Sequence, residues 1–233
     1  MGSITPVPFL PYWQTNIPPS LRTRECPTYL QNLSHKDISI LHTPDTLFQR
    51  LSWPLILQII HSNRLDLFQR KPSDLRLYLE FCYNVKRQYG SVMRYILDVE
   101  LQWDDSDKDS WSGENENGNE NENVLRVRVN DWPYGVDEKI VHLVVWSKCA
   151  WEDDAETGDI RDDVKREIDR WVDRIFGERC GSENVIWFRN WRSLKSIHAV
   201  EHFHVMLYDP DPEFVREVTK RDIRCRGGVM VKS

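Results

Sequence analysis

The stretch IHAVEHFHVMLYDPDP brings His198, Glu201, His202 and His204 together just ahead of an acidic proline turn. Imidazole titrates nearest neutrality of all side chains, so such a cluster suits a proton-transferring base, and neutral imidazoles also suit a metal ion. Read as a β-strand, EHFHVMLY sends Phe203, Val205 and Leu207 to one face and His202, His204, Met206 and Tyr208 to the other. The two histidines then project together, about 7 Å apart along the strand. That spacing allows two ligands of one metal, but zinc takes at least three protein ligands and no third is evident. Acid–base or substrate-binding work, or two polar histidines on a half-exposed strand, fit the same pattern.

Further constellations lie nearby. KIVHLVVWSK alternates so that His142, Val144, Trp146 and Lys148 share one face and Leu143, Val145 and Ser147 the other. If this strand neighbours EHFHVMLY, then His142, Trp146 and Lys148 share a cleft with His202 and His204. NDWPYG is a turn by composition, and Asp131 and Tyr134 could line a site at the sheet's end. WFRNWRSLKS mixes Trp187 and Trp191 with Arg189, Arg192 and Lys195, suited to phosphate contact and base stacking. Cations snorkelling beside core indoles would look the same. Asp162, Asp163 and Glu167 alternate with Lys165, Arg166 and Arg170, as on a helix surface laced by local ion pairs. No Ser-His-Asp or Gly-rich nucleotide pattern is present, which argues against an acyl-enzyme hydrolase or a nucleotide-dependent ligase.

These residues need elements to hold them. Residues 1–42 are proline-rich and weakly periodic, an arm that is partly irregular. Thr43 with Pro44, and Ser52 ahead of WPLILQII, each mark a short helix start. A longer helix follows with Ser73 as its cap and Gly90 as its stop, and SVMRYILDVELQW continues in helical fashion. The acidic, Asn-rich tract at 104–123 has too little apolar surface to offset its ordering entropy and reads as a disordered loop. VLRVRVN, KIVHLVVWSK, NVIWFRN and VEHFHVMLY are strands. DIRDDVKREIDRWVDRIFG is an amphipathic helix with Val164, Ile168, Trp171, Val172, Ile175 and Phe176 on one face, closed by Gly177. The fold class is α+β: N-terminal helices packed with a small, mostly antiparallel sheet and one long amphipathic helix, with residues 43–233 as a single domain.

The 233 residues suffice for one sizeable core, and 40% hydrophobic with 29% charged residues is usual for a globular chain. A net charge of −6 offers polyanions no global attraction, so such binding needs a local patch, for which the basic tail REVTKRDIRCRGGVMVKS is available. The five scattered cysteines form no CxxC pair, which fits a reducing compartment. LSWPLILQII is far too short for a membrane span, and the N-terminus lacks a signal-peptide pattern, so a cytoplasmic location is expected.

Taken in order, SWPLILQIIHSNRLDLFQRKPSDLRLYLEFCYNVKRQYGSVMRYIL, NDWPYGVDEKIVHLVVWSK, the helix ending FG, and VIWFRNWRSLKSIHAVEHFHVML resemble the fungal N-acetylglucosamine-induced protein 1-like family (DUF3605) across residues 50–208. The resemblance implies a cytoplasmic fungal protein. The family includes arginine-containing cyclodipeptide synthases, which take arginine and a second amino acid from their tRNAs and close them into a diketopiperazine. On that reading the partners are arginyl-tRNA and a second aminoacyl-tRNA, with no membrane or DNA, and no cofactor is needed because the aminoacyl ester is already activated. The synthase branch is associated with a DDxxE motif, and the nearest match here is DDVKRE.

The reaction asks for a base near an α-ammonium of pKa about 8, for oxyanion donors, for carboxylates to grip a guanidinium, and for cations and aromatics to hold the acceptor end. The resemblance therefore assigns His202 or His204, with Glu201, Asp131 and Tyr134, to catalysis. It assigns Asp162, Asp163, Glu167, His142 and Trp146 to substrate, and Lys148, Arg189, Arg192 and Lys195 to tRNA, with no metal. A non-catalytic, amino-sugar-responsive protein and a metal-dependent hydrolase remain as alternatives.

Overall fold

The computed structural model describes residues 10–103, 123–148, 160–191, 200–220 and 222–225, together with 151 and 154. The acidic tract at 104–122 lies outside them, as do Arg192, Lys195, His198 and the last eight residues of the basic tail.

Five strands form one antiparallel sheet in the order β3-β4-β2-β1-β5: β1 Asn123–Val129, β2 Ile140–Ser147, β3 Val185–Phe188, β4 Glu201–Tyr208 and β5 Asp222–Cys225. In the central β2–β4 pair, Leu143 faces Val205 and Val145 faces Phe203, while Val144 faces His204 and Trp146 faces His202. Period-two alternation turns these two sets to opposite faces.

The first face packs on helix α5 (Asp162–Val172) and helix α7 (Pro212–Lys220). Val164, Ile168, Trp171 and Phe176, with Phe214 and Val218, meet Leu125, Leu143, Val145, Phe203 and Val205. Each such fully buried side chain contributes roughly 1.5–3 kcal/mol. α5 does not stop at Gly177; it runs through a π-helical turn, Asp173–Gly177, into α6 (Glu178–Cys180), and ends where Gly181 takes φ +83°. Gly177 instead leaves room for the Asp173 carboxylate, which accepts from Ser182 Oγ at 2.6 Å. α7 and β5 occupy much of what reads in sequence as a basic tail. Asp211, ahead of Pro212, accepts the Glu213 amide at 2.8 Å, the pattern of a helix start.

The second face is covered as well. Helix α2 (Trp53–His61) brings Trp53, Ile56 and Ile59, with Leu65 and Phe68, against Ile140, Phe188 and Met206. Helix α4 (Val92–Tyr95) and the π-helical Ile96–Leu101 bring Leu97 and Leu101 against Val144, Trp146 and Val200. The sheet is therefore the middle layer of three, which is why β2 reads as a nearly continuous apolar run.

The N-terminal segment is more regular than its composition suggests. Helix α1 (His35–His42) is capped by Ser34 Oγ on the Asp37 amide, and Ile40 and Leu41 pack with Leu30 and Leu75 of helix α3 (Pro72–Tyr89). Thr43 ends α1 rather than opening a helix, and only a 3-10 turn, Asp45–Leu47, follows. α3 begins at Pro72, so Ser73 is inside it, where its amide donates to the Asp45 carboxylate at 3.1 Å; the helix ends at Gly90 as expected. Among the described residues no helix is long and apolar enough to cross a membrane.

Candidate functional site

β2 and β4 being neighbours, their second-face histidines meet. His142 Nε2 lies 3.0 Å from His204 Nδ1, and the Asn190 side-chain amide lies 3.1 Å from His204 Nε2 and 3.2 Å from the Tyr134 hydroxyl. At the other end, Asn130 approaches the His142 ring at 3.3 Å from Nδ1. All three residues His142, His204 and Asn190 are buried. Aromatic rings box them in: Phe188 stacks on His204 at 5.0 Å, Tyr134 on His142 at 5.4 Å, and Phe68 on Tyr134 at 4.8 Å.

The proton order in this array follows from the amides that flank it. The Trp132 N–H donates to Asn130 Oδ1 at 3.0 Å, so the Asn130 NH2 faces the His142 ring, 3.3 Å from Nδ1 and 3.4 Å from Nε2. Burial, with the Arg70 charge adding to it, pushes His142 down to about 3, so the ring is neutral. The Asn190 NH2 donates to the Tyr134 hydroxyl and faces His204 Nε2, so that nitrogen accepts and the His204 Nδ1–H donates to His142 Nε2. The Asn190 Oδ1 is buried and has no partner among the described residues.

His202 is arranged differently. Its Nδ1 is 2.9 Å from the Val200 carbonyl, which can only accept, so Nδ1 carries the proton and Nε2 is the basic nitrogen. The ring lies 4.7 Å from Trp146 and 5.7 Å from His204, centroid to centroid.

His202, His204, Asn190, Tyr134, Asn130 and Arg70 line a cavity of about 160 Å³, walled by Trp146, Trp132, Tyr78, Phe81, Val144, Val92 and Ile96. Arg70 comes from the link between α2 and α3. Its Nε donates to the Trp132 carbonyl at 3.1 Å and its guanidinium lies 3.8 Å from the Tyr78 ring centroid. The loop carrying Asn130, Trp132 and Tyr134 is tied down at its end: the Gly135 amide donates to Gln69 and its carbonyl accepts from Leu51, both at 2.9 Å.

Of the residues singled out in sequence, the structure gathers His202, His204, Tyr134 and Trp146 at the cavity, with His142 hydrogen-bonded behind them. The face they occupy is not half-exposed: His142, His202 and His204 are 3%, 6% and 7% exposed, because the N-terminal helices cover it. Asp162, Asp163 and Glu167 are on α5, which packs on the opposite face, so they do not meet the cavity. Glu201 and Arg189 pair at 2.9 Å with side chains 18% and 7% exposed, which turns Arg189 inward rather than toward a phosphate. Lys148 lies 5.6 Å from the Trp103 ring centroid, beyond the cavity wall. Asp131 falls between two lining residues but does not itself line the cavity; loss of solvation, then the Glu100 charge, raises its carboxyl. Among the described residues, no three or more His, Cys, Asp or Glu side chains converge as a metal site would need.

Sequence reasoning missed Arg70, Asn130 and Asn190. Asn130 opens NDWPYG and Asn190 follows the NVIWF strand, and a polar residue ending an apolar strand was the signal available. Arg70 carries no periodic signal.

A three-layer α+β protein with a histidine–amide array inside a small aromatic cavity is the class that fold and site define. Residues 52–208 match the family described as "Protein of unknown function (DUF3605)", and the chain belongs to that family. It is 31% identical over 182 residues to N-acetylglucosamine-induced protein 1 of Candida albicans, spanning 72% of each chain. It is 26% identical over 177 residues to uncharacterized protein YPL067C of Saccharomyces cerevisiae, spanning 75% of this chain and 87% of that one. The crystal structure of HTC1 is similar with a TM-score of 0.61 over 75% of this chain and 99% of the other, at 22% identity, a likeness of fold. Every cavity residue, from Arg70 to His204, falls within the family span.

Proposed function

We propose that this protein is a tRNA-dependent cyclodipeptide synthase, joining arginine from arginyl-tRNA to a second amino acid from its tRNA. The observation that carries the reading is His202: a buried histidine whose proton is held on Nδ1 by a backbone carbonyl, presenting a basic Nε2 beside oriented amide and hydroxyl groups. His202 takes a proton from the α-ammonium of one aminoacyl ester. The freed amine attacks the ester carbonyl of the other, a C–N bond forms, the C–O ester bond breaks, the tRNA 3′-oxygen leaves with the proton held by His202, and the second amine proton passes to solvent. Repeating the exchange within the dipeptidyl ester closes the ring. Two esters are consumed and two amides made, with no external energy source.

The Tyr134 hydroxyl, which accepts from the Asn190 NH2 and keeps its own proton to donate, stabilises the carbonyl oxygen as charge develops on it, a role typically worth about 10²–10³ in rate. Asp162, Asp163 and Glu167 are on the far side of the sheet and Asp131 does not line the cavity, so among the described residues no carboxylate there grips the arginyl side chain.

The test is incubation of purified protein with arginyl-tRNA and a mixture of other aminoacyl-tRNAs, followed by mass spectrometry. An arginine-containing diketopiperazine is expected from the wild type and not from His202→Ala. Absence of product from the wild type, with N-acetylglucosamine raising the melting temperature instead, would replace this reading with an amino-sugar-responsive one.

A further inference from the structure

Two features of the cavity bear on what it can hold. The Arg70 guanidinium is held by one bond from Nε and by stacking on Tyr78, and neither terminal nitrogen has a partner among the described residues. Among the described residues lining the cavity there is no carboxylate to neutralise Arg70. A guanidinium's paired N–H groups match the oxygens of a carboxylate or phosphate, and a ring stacked on one face holds the fork in orientation. The cavity, about 160 Å³, is close to the ~150 Å³ that accommodates a benzene molecule. Trp132, Tyr78 and Phe81 supply faces for a planar ring.

We infer that the cavity is an oxyanion-binding pocket for a ring-sized group, in which Arg70 grips a carboxylate or phosphate. Arg70 is thus the specificity-determining residue of the site. The inference stands apart from the aminoacyl-transfer reading; within that reading the anion is the phosphate of the acceptor's terminal nucleotide, and outside it a free carboxylate serves as well. Tyr134 lies beside Arg70, and its hydroxyl accepts from the Asn190 NH2.

The probes are benzoate and phenyl phosphate, each set against a neutral counterpart of similar shape, benzamide and phenol. Binding is followed by tryptophan fluorescence, since Trp132 and Trp146 line the cavity, and by calorimetry. At least one anion is expected to bind the wild type about ten-fold or more tighter than its neutral counterpart. Arg70→Gln removes that preference and Arg70→Lys keeps part of it. Whichever anion binds tighter identifies the source as carboxylate or phosphate. Equal binding of anion and neutral probe, an Arg70→Gln protein that still prefers the anion, or no saturable binding of either anion would each overturn the inference. The anion-against-neutral comparison uses the wild type alone, so it decides the matter even where Arg70→Gln does not fold. Diketopiperazine synthesis is read separately, so loss of the anion site and loss of the synthase reading are distinguishable.

Discussion

His142 and His204 share a hydrogen bond of 3.0 Å across the β2–β4 ladder, although neither is the other's direct partner: His142 faces Met206 and His204 faces Val144. The diagonal contact forms because both side chains are on one face, and it locks two imidazoles into one proton order. A ring that accepts at Nε2 must stay neutral. Protonating His142 would break its bond to His204.

Acid sensitivity follows. His142 is depressed from 6.5 to about 3, so the unfolded chain takes up its proton first on acidification. The contribution is fully present above pH 6.5 and is lost as pH falls from there toward 3, amounting to several kcal/mol in order of magnitude. The facing groups are His204, Asn130, Tyr134 and, by its charge, Arg70. Urea unfolding at a series of pH values should show this slope in the wild type and a shallower one in His142→Asn. Identical slopes would mean His142 titrates normally.

The two cavity histidines should differ in activity rather than in stability. His202→Ala is expected to lower diketopiperazine formation at least ~10²-fold, and with the bond to the Val200 carbonyl lost it should also cost about 1–3 kcal/mol. His204→Ala takes a partner from both His142 Nε2 and the Asn190 NH2, so it should cost a similar amount, about 1–3 kcal/mol. Wild-type turnover by His202→Ala would make that ring a packing partner of Trp146 and nothing more.

The Arg189–Glu201 pair is half-buried, with side chains 7% and 18% exposed. Removing either partner takes away a charge-assisted hydrogen bond, and Arg189→Ala or Glu201→Ala should each cost ~1.5–3 kcal/mol. The double replacement Arg189→Met with Glu201→Leu should cost less than either single change. Thermal unfolding of the three variants measures this, and a double variant less stable than both singles would contradict it.

Gly135 is set by close approach rather than by backbone angle. A methyl group there would come within 2.3 Å of the Phe48 ring and 3.3 Å of the Lys71 amide nitrogen. Gly135→Ala should cost about 1–3 kcal/mol as an overpacking change. It should also weaken whatever the cavity binds, because the cavity residue Tyr134 immediately precedes it. A melting temperature and probe affinity equal to wild type would show that Phe48 yields freely.

Much of the architecture was readable along the chain. Period-two alternation separated Phe203, Val205 and Leu207 from His202 and His204, and the structure keeps that division. The apolar stripe of α5 was equally plain: Val164, Ile168 and Trp171 are all buried. Element ends were less legible. Gly177 looks like a stop, yet the chain holds a π-helical turn there because Asp173 and Ser182 bond across it. Composition also hid α7 and β5, since a basic stretch reads as a surface whether or not Phe214 and Val218 are buried within it.

What sequence alone determined are the properties carried by local periodicity: the strands, the amphipathic helix, the shared face of His142, His202 and His204, and the family to which the chain belongs. What only the tertiary structure decided is what covers that face. The second layer is built from residues distant along the chain, and no local pattern states which helix will lie over which strand. Arg70 and Tyr78 from the N-terminal helical layer meet Asn130 and Trp132 from a sheet turn and Asn190 from a strand end. That meeting turns a row of half-polar strand residues into an enclosed cavity, and burial then makes His142 neutral and leaves the Asn190 Oδ1 without a partner among the described residues. Long-range packing sets the dielectric around a group and the partners within its reach, and those two quantities decide its chemistry.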